Sequence, residues 1–308
     1  MQVVTSGWKF TDIDAYGAAI AYAELLNLQG VSAKAVLEGE LNDSIPRRFR
    51  ELAVEYEARH DTQPDDSFIV VDVSEPENIS RCVVIDQVDE VLDHHPGWEQ
   101  YWGERLGEKA DIEPVGAVCT QVVERWQRSG LFQQMSDTSA QLLAAGILDN
   151  TLNFRAAIST ERDKKAYDEL VLRANLPDGW SAQYFSECQQ QIESHLEQAL
   201  ENDTKSMTFP GYEQLIDVAQ VVVWDADKLL IRADELVTFM TGSRNWFINI
   251  VSIREGKNYI LCRTPDLQAY IEQLLNINFH NNIAVTDRLW LRKEILKIAQ
   301  DSISKERV

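Results

Sequence analysis

The sequence predicts an α/β chain. A parallel sheet with helices on both faces is followed by a smaller C-terminal α/β domain, with a ligand site expected in the cleft between them. Three observations carry this. Through the first half, short β-branched runs alternate with amphipathic helical stretches. The run Ser67 to Val73 is almost continuously apolar, as in a strand buried on both faces. The chain has 308 residues, more than one typical core needs, and its composition shifts near Ser186.

Taken in order, Gln2 to Ser6 reads as a strand. Ala15 to Leu28 reads as a helix, rich in alanine and leucine and stopped by Gly30. Val31 to Leu37 is a second strand, and Ser67 to Val73 a third. Arg81 to Asp86 is read as another strand on its Cys-Val-Val-Ile run, followed closely by one over Val88 to Leu92. Helices are expected over Gly116 to Arg128, Ser139 to Leu148 and Glu161 to Ala174. The polar stretch from Ser186 to Lys205 is read as the joint. Residues 1–188 form the first domain, 189–204 a linker and 205–308 the second. Beyond the joint, strands are expected over Asp217 to Trp224, Trp246 to Ile253 and Ile283 to Thr286. Helices are expected over Leu267 to Leu275 and Leu291 to Ser302.

The formal net charge is −21. A surface this acidic repels a nucleic-acid backbone, so long DNA or RNA is disfavoured as a partner. A small anionic substrate stays open, because a bound metal and a few local cations reverse the potential inside one cleft. No apolar stretch approaches the ~20 residues of a membrane helix. The N-terminus enters a strand at once, without a secretory pattern. Cys82, Cys119, Cys188 and Cys262 lie far apart and read as reduced thiols of a cytoplasmic protein. The chain is compatible with a homodimer.

The chemistry concentrates where apolar segments end. Five histidines occur in the chain, and two are adjacent in Asp93-His94-His95. Asp12 and Asp14 follow the first strand, Asp72 ends the run Val70-Val71, and Asp149 follows Gly146-Ile147-Leu148. In a parallel sheet these ends converge on one edge. A cluster of four to five carboxylates there would repel itself unless something positive sat among them. Oxygen-rich ligands with one or two histidines favour Mn2+ or Mg2+ over a structural zinc. A buried histidine pair, a helix N-cap at Asp12 and a helix end at Asp149 are the plainer readings of the same residues.

The order Asp-x-Asp, strand-end Asp, Asp-His-His, Asp-x-Thr resembles the DHH phosphoesterase superfamily over roughly Val3 to Ala174. Pro114 to Thr120 and Thr160-Glu161-Arg162-Asp163 fit its context. No Gly-Gly-His run is present. Leu291-Arg292-Lys293 instead stands where family II pyrophosphatases and prune-type exopolyphosphatases carry Ser-Arg-Lys. The resemblance implies a hydrolase of phosphoanhydride bonds in pyrophosphate, short polyphosphate or a small phosphorylated compound. It implies Asp12, Asp14, Asp72, His94 and Asp149 as ligands of two Mn2+ or Mg2+ ions, with Asp72 bridging. It implies His95 facing the phosphate, with Asp93 orienting an imidazole. Arg292, Lys293 and Arg254, with help from Lys205, would clamp phosphate oxygens.

The family pattern Gly-His-x-Asn-Pro-Asp is met here by Gly7-Trp8-Lys9-Phe10-Thr11-Asp12. Indole cannot ligate a metal, so one of the two positions is expected to be weaker. Two alternatives stay open. One is a phosphodiesterase of very short oligonucleotides or cyclic dinucleotides, with Trp8 and Phe10 stacking on bases. The other is a degenerate, non-catalytic binding protein.

Overall fold

The structure is a computed structural model that describes residues 1–240 and 242–306, with side chains up to residue 302. It divides into two compact units, Met1–Tyr184 and Phe185–Val308.

The first unit runs β1 (Gln2–Thr5), β2 (Phe10–Thr11), α1 (Ile13–Leu28), β3 (Ala33–Val36), β4 (Glu40–Leu41), α2 (Arg47–Arg50), β5 (Tyr56–Glu57), β6 (Ser67–Val71), β7 (Val88–Asp93), α3 (Glu99–Leu106) and β8 (Ala110–Ile112). It continues with α4 (Val118–Arg128), α5 (Asp137–Asn150) and α6 (Glu161–Arg173), and the division between the units falls inside α7 (Trp180–Ser194). Six strands form one sheet in the order β5-β3-β1-β6-β7-β8, and every pairing is parallel. The near-continuous apolar run Phe68-Ile69-Val70-Val71 is buried throughout, as a central parallel strand must be.

Arg81 to Asp86 is not a strand. Ile85–Gln87 is a short 3-10 turn, and Val84 is 46% exposed. The ladder position beside β6 is taken by β7, so the β-branched run finds no free edge. Val83 and Ile85 instead pack partly buried against Val3, Phe68, Val88 and Trp102. The helix expected from Gly116 begins at Val118.

Glycines set how closely the helices approach. A Cβ on Gly17 of α1 would lie 2.9 Å from the Leu142 carbonyl oxygen of α5, and one on Gly146 would lie 3.1 Å from Asp14 Cα. Residue number rises along α1 as it falls along α5, so the two helices are antiparallel. The first turn of α1 therefore meets the last turn of α5. Gly146→Ala is expected to cost about 1–3 kcal/mol by overpacking, because its Cβ would also meet Cys119 Sγ at 2.5 Å. A thermal melt checks this; an unchanged midpoint would contradict the close approach.

The second unit contains α8 (Leu196–Asn202), β9 (Thr204–Thr208), β10 (Leu215–Val223), α9 (Asp227–Ile231), α10 (Ala233–Phe239), β11 (Trp246–Ser252), β12 (Lys257–Leu261), α11 (Pro265–Leu275), β13 (Phe279–His280), β14 (Ile283–Val285) and α12 (Arg292–Glu306). Its mixed sheet has the order β13-β14-β12-β11-β10-β9, with only β10 and β11 parallel among the described residues. Apolar cores form around Ile248 and Ile250 and around Phe247 and Ile260. Within residues 189–204 the chain is largely helical, and Ile192, Leu196 and Leu200 pack into the first of these cores.

Candidate metal centre

Parallel strands place their carboxyl ends on one edge. Thr5 of β1 is paired with Val70 of β6, and Val71 with Leu92 of β7. Asp72 and Asp93-His94-His95 therefore leave the sheet side by side. Asp72 turns out of β6 with φ +60°, a left-handed conformation that Asp and Asn tolerate better than other residues with a side chain. Its backbone N–H donates to the Leu92 carbonyl at 2.9 Å.

Asp93 is fully buried. Its Oδ1 accepts from the backbone N–H groups of His94 at 2.7 Å and His95 at 3.1 Å, and from His95 Nδ1 at 2.8 Å. Burial alone would raise this carboxyl, but the hydrogen bonds and the charge of His95 outweigh it and hold it below the usual range. Reciprocally, the bond to Asp93 raises His95 above an ordinary imidazole, with burial opposing. Asp93→Asn should cost about 10–100-fold in activity, the range for residues that orient a working side chain. Steady-state turnover of the variant checks this, and an unchanged rate would contradict a working role for His95.

His94 Nδ1 lies 3.1 Å from the Val115 carbonyl. A carbonyl only accepts, so Nδ1 carries the hydrogen, and in the neutral ring Nε2 is the nitrogen with the lone pair. That Nε2 is 3.4 Å from Asp72 Oδ1 and 3.9 Å from Asp14 Oδ2. Asp72, His94 and His95 each offer a ligand atom within 4.8 Å of the others.

Asp12 is the N-cap of α1, accepting from Ala15 N at 2.9 Å. Within the first turn of the helix, Asp14 is fully buried and receives the first N–H groups of α4, Val118 N at 2.9 Å and Cys119 N at 2.8 Å, as helix N-termini hold anions. Burial is the main reason its carboxyl lies above the usual range; His94 opposes this and Asp12 adds to it. Asp72 is raised well above that range, first by burial and then by Asp12 and Asp14. Asp149 is pushed up to about 7 by burial and Asp12, against a hydrogen bond from Tyr184. The charge of Asp12 thus adds to the upward shift of all three other carboxyls.

Asp72 Oδ1 is buried without a hydrogen-bond partner, on a side chain only 6% exposed. An orphaned carboxylate oxygen facing an imidazole lone pair among further carboxylates is the donor set of a hard or borderline divalent cation. The residues fit such an ion.

Other expected residues lie elsewhere. The Trp8 ring is covered by Arg81, whose Cζ is 4.0 Å from its centroid, and its N–H donates to the Glu77 carbonyl at 3.0 Å. Trp8 therefore packs against the loop after β6, while Phe10 is 68% exposed. In the second unit, Arg292 is buried and its guanidinium is held by Val218 O at 3.0 Å and by the carbonyl and carboxylate of Asp203, each at 2.5 Å. The expectation of Arg292 as a phosphate clamp meets a side chain already engaged within its own unit. Arg254 pairs with Asp225 at 2.7 Å, and Lys293 and Lys205 are exposed.

Two contributors, Asn150 and Tyr184, escaped the sequence reading, and a third, Asp163, entered it only as motif context. Asn150 donates through Nδ2 to Asp14 Oδ2 and stands 3.4 Å from His94 Nε2. Its place beside Asp149 was the only available signal. The Tyr184 hydroxyl lies 2.9 Å from Asp149 Oδ1 and 2.8 Å from the Ser44 carbonyl, and nothing local announces it. Asp163 grips Gly116 N with both oxygens at 3.1 and 3.0 Å and also completes a capping box with Thr160. This fixes the approach to α4 and hence the N–H groups that hold Asp14.

Residues 2–147 match the model of the DHH family, N-terminal domain. Along nearly their whole lengths, two bacterial proteins assigned as manganese-dependent inorganic pyrophosphatases are similar to this chain. One, from Bacillus licheniformis, is 24% identical over 95% of this chain and 96% of its own. The other, from Listeria innocua, is 27% identical over 97% and 98%. A Methanococcus jannaschii protein assigned to the family II inorganic pyrophosphatases has the same fold, with TM-score 0.61 and 18% identity over 97% of this chain and all of that one. Asp72, Asp93-His94-His95 and the α1 and α4 N-termini, assembled on one sheet edge, lie within the residues 2–147 that match the DHH family N-terminal domain.

Proposed function

We propose that this protein is a divalent-metal-dependent phosphohydrolase that cleaves phosphoanhydride bonds, with pyrophosphate or a short polyphosphate as its substrate and Mn2+ as its natural ion. The observation that carries this is the buried, unpartnered Asp72 Oδ1, set 3.4 Å from the His94 lone pair and crowded by the charges of Asp12 and Asp14. Such an arrangement is costly unless a cation completes it. The relatives, named as manganese-dependent pyrophosphatases over almost the full chain, support the same ion and substrate class.

In this reading Asp12, Asp14, Asp72 and His94 hold the metal, and Asp149 contributes beside Asp12. Divalent cations held by these residues would supply Lewis acidity toward phosphoryl oxygens and lower the pKa of bound water. The chain's own residues do the rest. The bond from His95 Nδ1 to Asp93 fixes the tautomer and leaves Nε2 to carry the mobile proton. The raised imidazole basicity favours the protonated form, suited to giving that proton to the departing phosphate oxygen. The 57% exposed His95 side chain remains reachable by substrate. Four cysteines present as thiols, and the absence among the described residues of a helix long and apolar enough to cross a membrane, fit a cytoplasmic setting.

The test offers Mn2+-loaded protein pyrophosphate, tripolyphosphate, a dinucleotide and an aryl phosphodiester. Phosphate release from the first two is expected. Turnover of the diesters alone would favour a phosphodiesterase. Turnover of none would make the fold a binding protein.

A further inference from the structure

The last turn of α5 offers two consecutive polar side chains to different neighbours. Asp149 Oδ1 sits 2.9 Å from the Tyr184 hydroxyl, and the charges acting on it are those of Asp12 and, more weakly, Asp14. Asn150 points elsewhere: its amide touches Asp14 Oδ2 and lies 3.4 Å from His94 Nε2. Successive helical residues diverge by about 100° (3.6 per turn), so the two side chains do not share a partner. His94 Nε2 is the nitrogen left with a lone pair, because Nδ1 faces a carbonyl. Asp72 Oδ1, the orphaned oxygen, is 3.4 Å from that nitrogen. The Asn150 amide thus occupies the space on which Asp14, Asp72 and His94 converge, and it aims N–H donors at atoms whose lone pairs suit a cation. Turning the amide by about 180° exchanges its nitrogen for its carbonyl oxygen, an oxygen ligand of the type hard cations accept.

We infer that Asn150, through its side-chain carbonyl, is a ligand from α5 to a divalent cation held by Asp14, Asp72 and His94. The inference rests on the metal-dependent reading above. That ion is held by a neutral amide where a carboxylate would bind more tightly.

Calorimetric titration with Mn2+, checked by electron paramagnetic resonance of free Mn2+, tests this on the full chain. N150D should tighten one of two dissociation constants about tenfold, because ligand charge sets affinity in such sites, and N150A should loosen the same one. N150A should add little to H94Q, since both act on one ion. The inference fails if N150D and N150A leave both constants unchanged, or if N150A and H94Q move different constants. A misfolded variant cannot mimic the tightening expected of N150D. Two Mn2+ ions bound with silent Asn150 variants would overturn this inference alone. No Mn2+ bound by the wild type would overturn it together with the metal-dependent reading.

Discussion

Asp72→Asn is expected to lose most Mn2+ binding and more than about a hundredfold of Mn2+-dependent phosphate release, beyond the range typical of residues that only orient ligands. The substitution is chosen for the backbone. Asp72 sits at φ +60°, where asparagine is comfortable and alanine would add about 1–2 kcal/mol of strain. Shape is nearly conserved, so the change is one charge and one donor atom. That charge is unfavourable in the metal-free protein, because burial and the neighbours Asp12 and Asp14 all disfavour the ionised form. Asp72→Asn should therefore melt at the same temperature as the metal-free wild type or higher. The pairing of lost activity with retained or improved stability separates a metal-binding carboxylate from a structural one. Activity within tenfold of wild type, or a lowered melting point, would contradict the assignment.

The metal-free protein should become less stable as pH rises from about 4 to above 7, the reverse of ordinary acid denaturation. Asp149 titrates at about 7 in the fold against 3.8 when free. Between those values the folded chain holds a proton that the unfolded chain has released. Stability then falls with rising pH across that window and levels off above it. Asp14 and Asp72 are shifted in the same direction. His95 adds the same sign, since its raised value gives stability that is complete below the free imidazole range and lost as pH rises through the folded value. Asp93 acts oppositely, but only in acid below the ordinary carboxylate range. Mn2+ should reverse the trend. At a hundred times its dissociation constant it contributes about 2.7 kcal/mol, a rise of several degrees in melting temperature, larger at pH 8 than at pH 5.5 because ligand protons must leave. Thermal melts with EDTA and with Mn2+ at both pH values measure this. A metal-free melting point that climbs between pH 5 and 8 would refute the buried carboxylate cluster.

Both expectations trace to features that the sequence displays unevenly. The parallel sheet was legible because Ser67 to Val71 has the apolar run of a strand buried on both faces and because helices separate the strands. Once strands are parallel, their carboxyl ends share an edge, and the pairing of β6 with β7 makes Asp72 and Asp93-His94-His95 neighbours on it. The same logic misread Arg81 to Asp86, since a β-branched run becomes a strand only where a ladder edge is open, and β7 fills that edge. Pairing is a property of the partner, not of the run.

By itself, then, the sequence placed Asp72 and Asp93-His94-His95 on one sheet edge, because strand direction does so whatever the side-chain packing. Only the tertiary structure decided which atoms each one meets. The close antiparallel approach of α1 and α5, permitted by Gly17 and Gly146, puts Asn150 rather than Asp149 against Asp14 and His94. A partner 89 positions away, Asp203, holds the Arg292 guanidinium that the motif alone assigned to phosphate. Helix rotation at a terminus and the pairing of a long flexible side chain are set by contacts distant in sequence, which a local pattern does not encode.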